Sequence, residues 1–395
     1  MRSGLEVFIE GGVDAWKGKR VGLCCNHTAV DRRLRHAVEL FTAAGVTPAR
    51  LFAPEHGVHA TVQDMVGLED EGGAEGAHNP IEVVSLYGDS EASLRPAPET
   101  LEDLDAVVFD IQDIGSRYYT YQATLGFLMA AAAETGTKVI VLDRPNPITG
   151  ASVEGNVVQE GFGSFVSAFP LAVRHGMTMG ELAGFFRMVL GIDADVSVIP
   201  CDGWRREQWL DETDLPWVYP SPNMPMLETA AIYPGMCLFE GTNLSEGRGT
   251  TRPFHLIGAP WLDPERTARL CRQSAERAGL EGVGFRPATF LPQYQKHGGE
   301  VCGGVEVFVT DRATMKPFLL GLAMLEATRA SNPERFGWRT ETYEFVDDPI
   351  AIDLLCGSAR IREGLEAGAD LRELEDAWQG QLAEFREQRA PCLLY

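Results

Sequence analysis

The residues best equipped for chemistry lie where an apolar run (106–109) ends abruptly in polar groups. Asp110, Gln112 and Asp113 come first, then Gly115, Arg117 and three tyrosines, Tyr118, Tyr119 and Tyr121. A continuous apolar run is how a buried parallel strand reads, and open α/β sheets bind ligands beyond the carboxyl ends of their strands. Acids, a fixed cation and aromatic faces in one loop suit a polar, ring-shaped substrate. Similar loops follow other apolar runs: Asn26-His27-Thr28, Pro54-Glu55-His56-Gly57 and Arg144-Pro145-Asn146-Pro147. Two more polar loops come later, at 221–224 and 240–251.

Glu55 is the leading candidate for proton transfer, since a carboxyl at the partly desolvated end of an apolar strand suits a general acid. Asp110 and Asp113 flank Gln112 in an extended segment and so face different sides of it. One of them reads as a second carboxylate or orienter, the other as a helix cap or a partner of Arg117. Arg144, stiffened by Pro145, has two readings: a bidentate grip on a substrate carboxylate, or a salt bridge to Asp143 or Asp113. Arg174 and His175 offer a further donor pair. Asn223, Glu240, Asn243, Glu246 and Arg248 belong to the later loops, either as cleft-facing groups or as loop scaffold. Among the tyrosines two read as packing and one, Tyr119, as a stacking face. His56 and His59 lack a third ligand at metal-binding spacing, so no metal is expected.

These side chains need a scaffold that gathers them. Strand-like runs at 20–25, 47–53, 81–86, 106–111, 138–143 and 195–200 alternate with helical patterns near 34–44, 124–134 and 178–190. Thr178 with Glu181 three residues on has the spacing of a capping box. The alternation predicts an α/β fold, a Rossmann-like and mostly parallel sheet with helices on both faces. Loops after parallel strands leave the sheet on one edge, so the first four polar loops should converge. From about residue 220 the chain turns rich in Pro, Gly and Asn. A strand-like run at 304–310 and helical patterns at 315–328, 350–366 and 371–388 follow. The expected division is a Rossmann-like catalytic domain over 1–220 and a smaller α+β domain over 221–395, whose loops close an interdomain cleft.

The formal net charge of −23 argues against nucleic acid or an anionic membrane as a bulk partner. It leaves room for an anionic small substrate, because a few local arginines reverse the field in a cleft. No run approaches the ~18 apolar residues of a membrane span, and no signal peptide is apparent. The eight cysteines are scattered without a C-x-x-C pair. These features predict a reducing, cytoplasmic setting. The first strand runs into Asn26 rather than G-x-G-x-x-G, and Glu246-Gly247-Arg248-Gly249-Thr250 lacks the Lys-Ser/Thr of a P-loop, so no nucleotide cofactor is expected.

Several long phrases carry a family resemblance: APEHG, FDIQDIGSRYYTY, VLDRPNP, RHGMTMGELA, SPNMP, YPGMCLFEGTNLSEGRGTTRPF and IGAPW. Together they resemble the exo-β-N-acetylmuramidases of the NamZ type, over nearly the whole chain. The resemblance implies a Rossmann-like domain and a smaller C-terminal domain with the active site between them. It also implies a cofactor-free hydrolase that releases N-acetylmuramic acid (MurNAc) from the non-reducing end of peptidoglycan fragments, a MurNAc-terminated saccharide being its small-molecule substrate. The family's proposed catalytic glutamate falls on Glu55. Glycoside hydrolysis usually needs a second carboxylate, and Asp113, Glu240 and Glu246 all remain open for that part. A muropeptide-binding protein without turnover is the rival reading, and a nicotinamide-dependent oxidoreductase is disfavoured by the absent glycine fingerprint.

Overall fold

The computed structural model describes residues 1–59 and 81–395. In the first half, β1 (Val21–Cys25), β2 (Arg50–Ala53), β3 (Glu82–Ser85), β4 (Ala106–Asp110) and β5 (Lys138–Leu142) come in chain order. A hairpin, β6 (Glu154–Val157) and β7 (Ala172–Arg174), precedes β8 (Val196–Ile199). Six strands form one sheet in the order β3-β2-β1-β4-β5-β8, and every neighbouring pair is parallel. The fold class is therefore α/β, as the alternating pattern predicts.

Each of the six sheet strands lies within a predicted run. Both β1 and β4 are buried along their whole length, which is why their sequences are unbroken apolar runs rather than alternating ones. The chain builds outward from β1 to β3 on one side and from β4 to β8 on the other. The direction of winding thus reverses between β1 and β4, and loops after strands flanking such a reversal border a crevice.

Helix Ala37–Ala43 joins β1 to β2, and helix Tyr121–Thr135 joins β4 to β5. Helix Met179–Met188, which leads to β8, starts with the anticipated capping box of Thr178 and Glu181. Gly4, at the start of helix Gly4–Gly11, sits so close to the sheet that a Cβ there would lie 2.3 Å from the Asp143 amide nitrogen.

In the second half, β9 (Leu256–Ala259), β10 (Val283–Phe290) and β11 (Cys302–Val309) form an antiparallel sheet in the order β10-β11-β9. Helix Pro264–Ala278 packs on this sheet and on helix Pro317–Ser331. The single helical pattern expected over 350–366 is two helices, Ala351–Cys356 and Arg360–Ala367, because Gly357 takes a left-handed φ of +64° and ends the first. Helix Leu371–Arg389 packs on the hairpin, on β6. Buried apolar residues from one sheet face (Cys24, Phe52, Phe109) to Phe318 and Trp378 make one continuous core. The opposite sheet face (Leu23, Cys25, Val108) packs on helices Gly4–Gly11 and Ala37–Ala43. All eight cysteines are buried and free. Among the described residues no helix is long and apolar enough to cross a membrane.

Candidate active site

Strand β2 ends at Ala53, and the next four residues make a tight turn closed by the Gly57 amide donating to the Pro54 carbonyl at 3.0 Å. His56 and Gly57 both adopt positive φ (+72° and +81°), unusual for His and ordinary for Gly. Glu55 is left buried, with 6% of its surface exposed. The Thr120 hydroxyl, just before helix Tyr121–Thr135, donates to its Oε2 at 2.5 Å. One carboxyl thus links the loops after β2 and β4.

Around Glu55 lies a narrow pocket with a cavity volume of about 40 Å³ among the described residues. Of the residues singled out from sequence, Glu55, His56, Tyr119, Asn223, Glu240 and Arg248 line it together. Tyr118 and Tyr121 also face it, as do Tyr233 and Phe254, in edge-to-face contacts that make an aromatic side. Tyr118 and Tyr121 also anchor the chain where it passes into the second half: their hydroxyls donate to the Pro234 carbonyl at 3.3 Å and the Pro220 carbonyl at 2.7 Å.

The charged side of the pocket is a chain of pairs. Arg248 donates through Nη2 to Glu240 and through Nη1 to Glu246, each at 2.9 Å. Tyr343 donates its hydroxyl to the other Glu240 oxygen at 2.8 Å. Lys296 donates to Glu246 at 3.0 Å and to the carbonyls of Phe239 and Leu244 at 2.8 and 3.1 Å. Burial alone would raise the Glu246 carboxyl, but Lys296 and Arg248 hold it down at about 2. Glu246 does not border the pocket; it sits behind Arg248 as a counter-ion.

Several other predicted site residues build the loops instead. Asn26 donates to the Tyr121 hydroxyl and accepts from the amide and hydroxyl of Thr28. Gln112 donates to the Asp113 and Pro145 carbonyls. The Arg144 guanidinium is taken by Asp110 through both Nε and Nη2, with Nη2 also reaching the Val30 carbonyl. That pairing answers the alternatives of Asp143 and Asp113, and it leaves Arg144 outside the pocket lining. Arg117 is fully buried and donates to the carbonyls of Asn156, Leu171 and Leu355. It pairs with neither Asp110 nor Asp113.

Asn146 caps its own loop through the Ile148 amide and the Met177 carbonyl, and a Cβ on Gly115 (φ +82°) would collide with it. Asn243 clasps residues 335–337 through the Arg335 carbonyl and the Gly337 amide. Asp113 accepts from the Gly115 amide at 2.7 Å and lies 3.6 Å from His175 Nε2. His175 accepts the Met177 amide at Nδ1, so its neutral form carries the proton on Nε2, toward Asp113. This buried pair stands behind the pocket wall.

Thr120, Tyr233, Phe254, Tyr343 and Glu344 line the pocket without having been singled out as site residues. Tyr343 and Glu344 lie in an unremarkable polar stretch, with Glu344 and Phe345 both at positive φ, and only the chain's path brings them there. Lys296 likewise has no local motif. No three His, Cys, Asp or Glu side chains among the described residues stand where they could hold a metal ion.

Two family models described as the N-terminal and C-terminal parts of exo-beta-N-acetylmuramidase NamZ match residues 21–228 and 231–395. The chain belongs to this family. It is 38% identical over 400 residues to the peptidoglycan beta-N-acetylmuramidase NamZ of Bacillus subtilis (strain 168), covering 100% of this chain and 91% of that protein. Two crystal structures of DUF1343 family proteins from Bacteroides fragilis NCTC 9343 share the fold. One superposes with a TM-score of 0.87 at 33% identity, the other with 0.75 at 27%, and each match covers 100% of this chain and 98% of the other.

Proposed function

We propose that the chain is a glycosidase that acts on peptidoglycan fragments, cleaves from the non-reducing end and releases MurNAc, with Glu55 as the general acid. Family membership and the 38% identity to a protein named for this activity support the reaction class. The observation that carries the residue assignment is the buried Glu55 carboxyl, hydrogen-bonded by Thr120 and sharing one pocket with Glu240 and Arg248.

Cleavage of a glycosidic bond needs a carboxylic acid to protonate the departing oxygen and usually a carboxylate across the ring. Glu55 takes the first part. Glu240 suits the second better than Asp113 or Glu246, because of these three only Glu240 borders the pocket. MurNAc carries a lactyl carboxylate, and Arg248 is the arginine that faces the pocket. It takes over the recognition that the sequence suggested for Arg144.

The test is the release of free MurNAc from MurNAc-GlcNAc, run beside a GlcNAc-terminated control. Glu55→Gln keeps the fold and lowers turnover of a chromogenic β-MurNAc glycoside by at least ~100-fold. Full activity in that variant removes Glu55 from the role. Binding of the disaccharide without release by the unaltered chain removes the hydrolase reading altogether.

A further inference from the structure

A second cavity, of about 560 Å³, opens between the hairpin β6–β7 and helix Leu371–Arg389. Two opposite charges of the hairpin, Glu154 and Arg174, sit in its lining, with Lys316, Glu375, Asp376 and Arg386 around them, Arg386 donating to the Val153 carbonyl at 3.1 Å. Glu154 and Arg174 are direct cross-strand partners in the hairpin, an arrangement that puts Cβ atoms about 4.5–5.5 Å apart and ordinarily yields a salt bridge. Here no nitrogen–oxygen contact within 4 Å forms between them. Each is held by a backbone group instead. Glu154 accepts the Leu319 amide at 3.0 Å, at the start of helix Pro317–Ser331, and Arg174 donates Nη2 to the Ile148 carbonyl.

Arg174 is only 3% exposed, and its Nε has no hydrogen-bond partner among the described residues. Burial pushes the Glu154 carboxyl up to about 7 and the Arg174 guanidinium down to about 10, so neither charge is fully compensated. At the rim Lys316 and Glu375 already satisfy each other at 2.8 Å, while Met315, Trp378 and Leu382 give the cavity an apolar side. A half-buried acid and a buried base held apart at one cavity define a ligand that carries both complementary charges.

We propose that this cavity binds a small zwitterion of amino-acid or dipeptide size, with its carboxylate on Arg174 and its ammonium on Glu154. Charged hydrogen bonds to both ends supply the affinity, and the apolar side takes a short side chain. The site is built by the hairpin and the last long helix, and its lining shares no residue with the pocket around Glu55.

Isothermal titration of the full chain with L-alanyl-L-alanine, its N-acetyl form and its C-terminal amide tests the proposal without any substitution. The free dipeptide should bind, and each blocked form should bind at least tenfold more weakly. Equal binding of all three overturns the proposal, as does weakening on blocking one end only, or no binding up to roughly 10 mM. Glu154→Gln then locates the peptide: the tenfold advantage of the free amino terminus should disappear while that of the free carboxylate stays. Unchanged binding in this variant puts the dipeptide elsewhere and refutes the site.

Discussion

The loops at the carboxyl edge of the parallel sheet and the loops of the second half are equally rich in polar residues, yet they do different work. At the sheet edge most polar side chains are spent on the chain itself. Asn26 and Asn146 cap turns, Gln112 staples two loops, and Arg144 is absorbed by Asp110. Only Glu55, His56, Thr120 and the neighbouring tyrosines turn toward the pocket. The second half supplies the facing charges: Glu240 from a short 3-10 helix, Cys237–Gly241, and Arg248 and Glu344 from segments with no regular structure to predict them. A polar loop after a strand therefore marks where a site is, while the walls come from elsewhere.

The sharpest way to break this contrast is Arg144→Ala. If Arg144 is scaffold, its loss strands a fully buried Asp110 and costs about 3–5 kcal/mol in urea unfolding, while the folded fraction keeps its preference for MurNAc over GlcNAc glycosides. Loss of that preference without loss of stability would put Arg144 at the substrate after all. The complementary variant is Arg248→Lys, which keeps a charge but not the planar fork. We expect KM for a MurNAc glycoside to rise about tenfold or more, with little change for a GlcNAc glycoside.

Acid titration separates the paired charges of the second half from the rest. The folded-state value of Glu246, about 2, lies below its ordinary 4.5, so its ion pairs add stability above that ordinary value. That contribution, about 3 kcal/mol, is lost as pH falls from about 4.5 toward 2. In urea unfolding at pH 6 and pH 3, Glu246→Gln should show a smaller drop than the unaltered chain, and an equal drop refutes the pairing.

The smallest effect expected is at the far edge of the sheet. The Tyr395 hydroxyl donates to the buried Asp143 at 2.7 Å and accepts the Cys201 amide at 2.7 Å. Tyr395→Phe should cost about 1–3 kcal/mol in the same assay and leave turnover unchanged.

The centre of the sheet was legible because β1 and β4 are buried along their whole length and carry no polar residue until they end. Helix Met179–Met188 was legible through Thr178 and Glu181. Helix Pro264–Ala278 lies outside the predicted patterns although Asp263 caps it and Pro264 opens it, with Ala268, Cys271 and Ala275 buried at helical spacing. Helix Leu227–Met236 is different: nearly all round it is buried and it contains Pro234, so it has neither periodicity nor a clean pattern to find. Within the site, Glu55 could be picked out because a strand end, a proline and a left-handed turn fix it locally. Glu344 and Lys296 could not, since their positions depend on contacts more than 50 residues away, such as Lys296 with Glu240.

Arg117 has a consequence for how the molecule comes apart. Its guanidinium is shared by carbonyls of Asn156 and Leu171 on one side and Leu355 on the other, inside a core that runs unbroken through both halves. Neither half can melt without exposing the other's interior, so calorimetry should show a single cooperative transition. A polypeptide cut near residue 220 would yield two fragments that aggregate when expressed apart, and the pocket around Glu55 would exist only in their reunion.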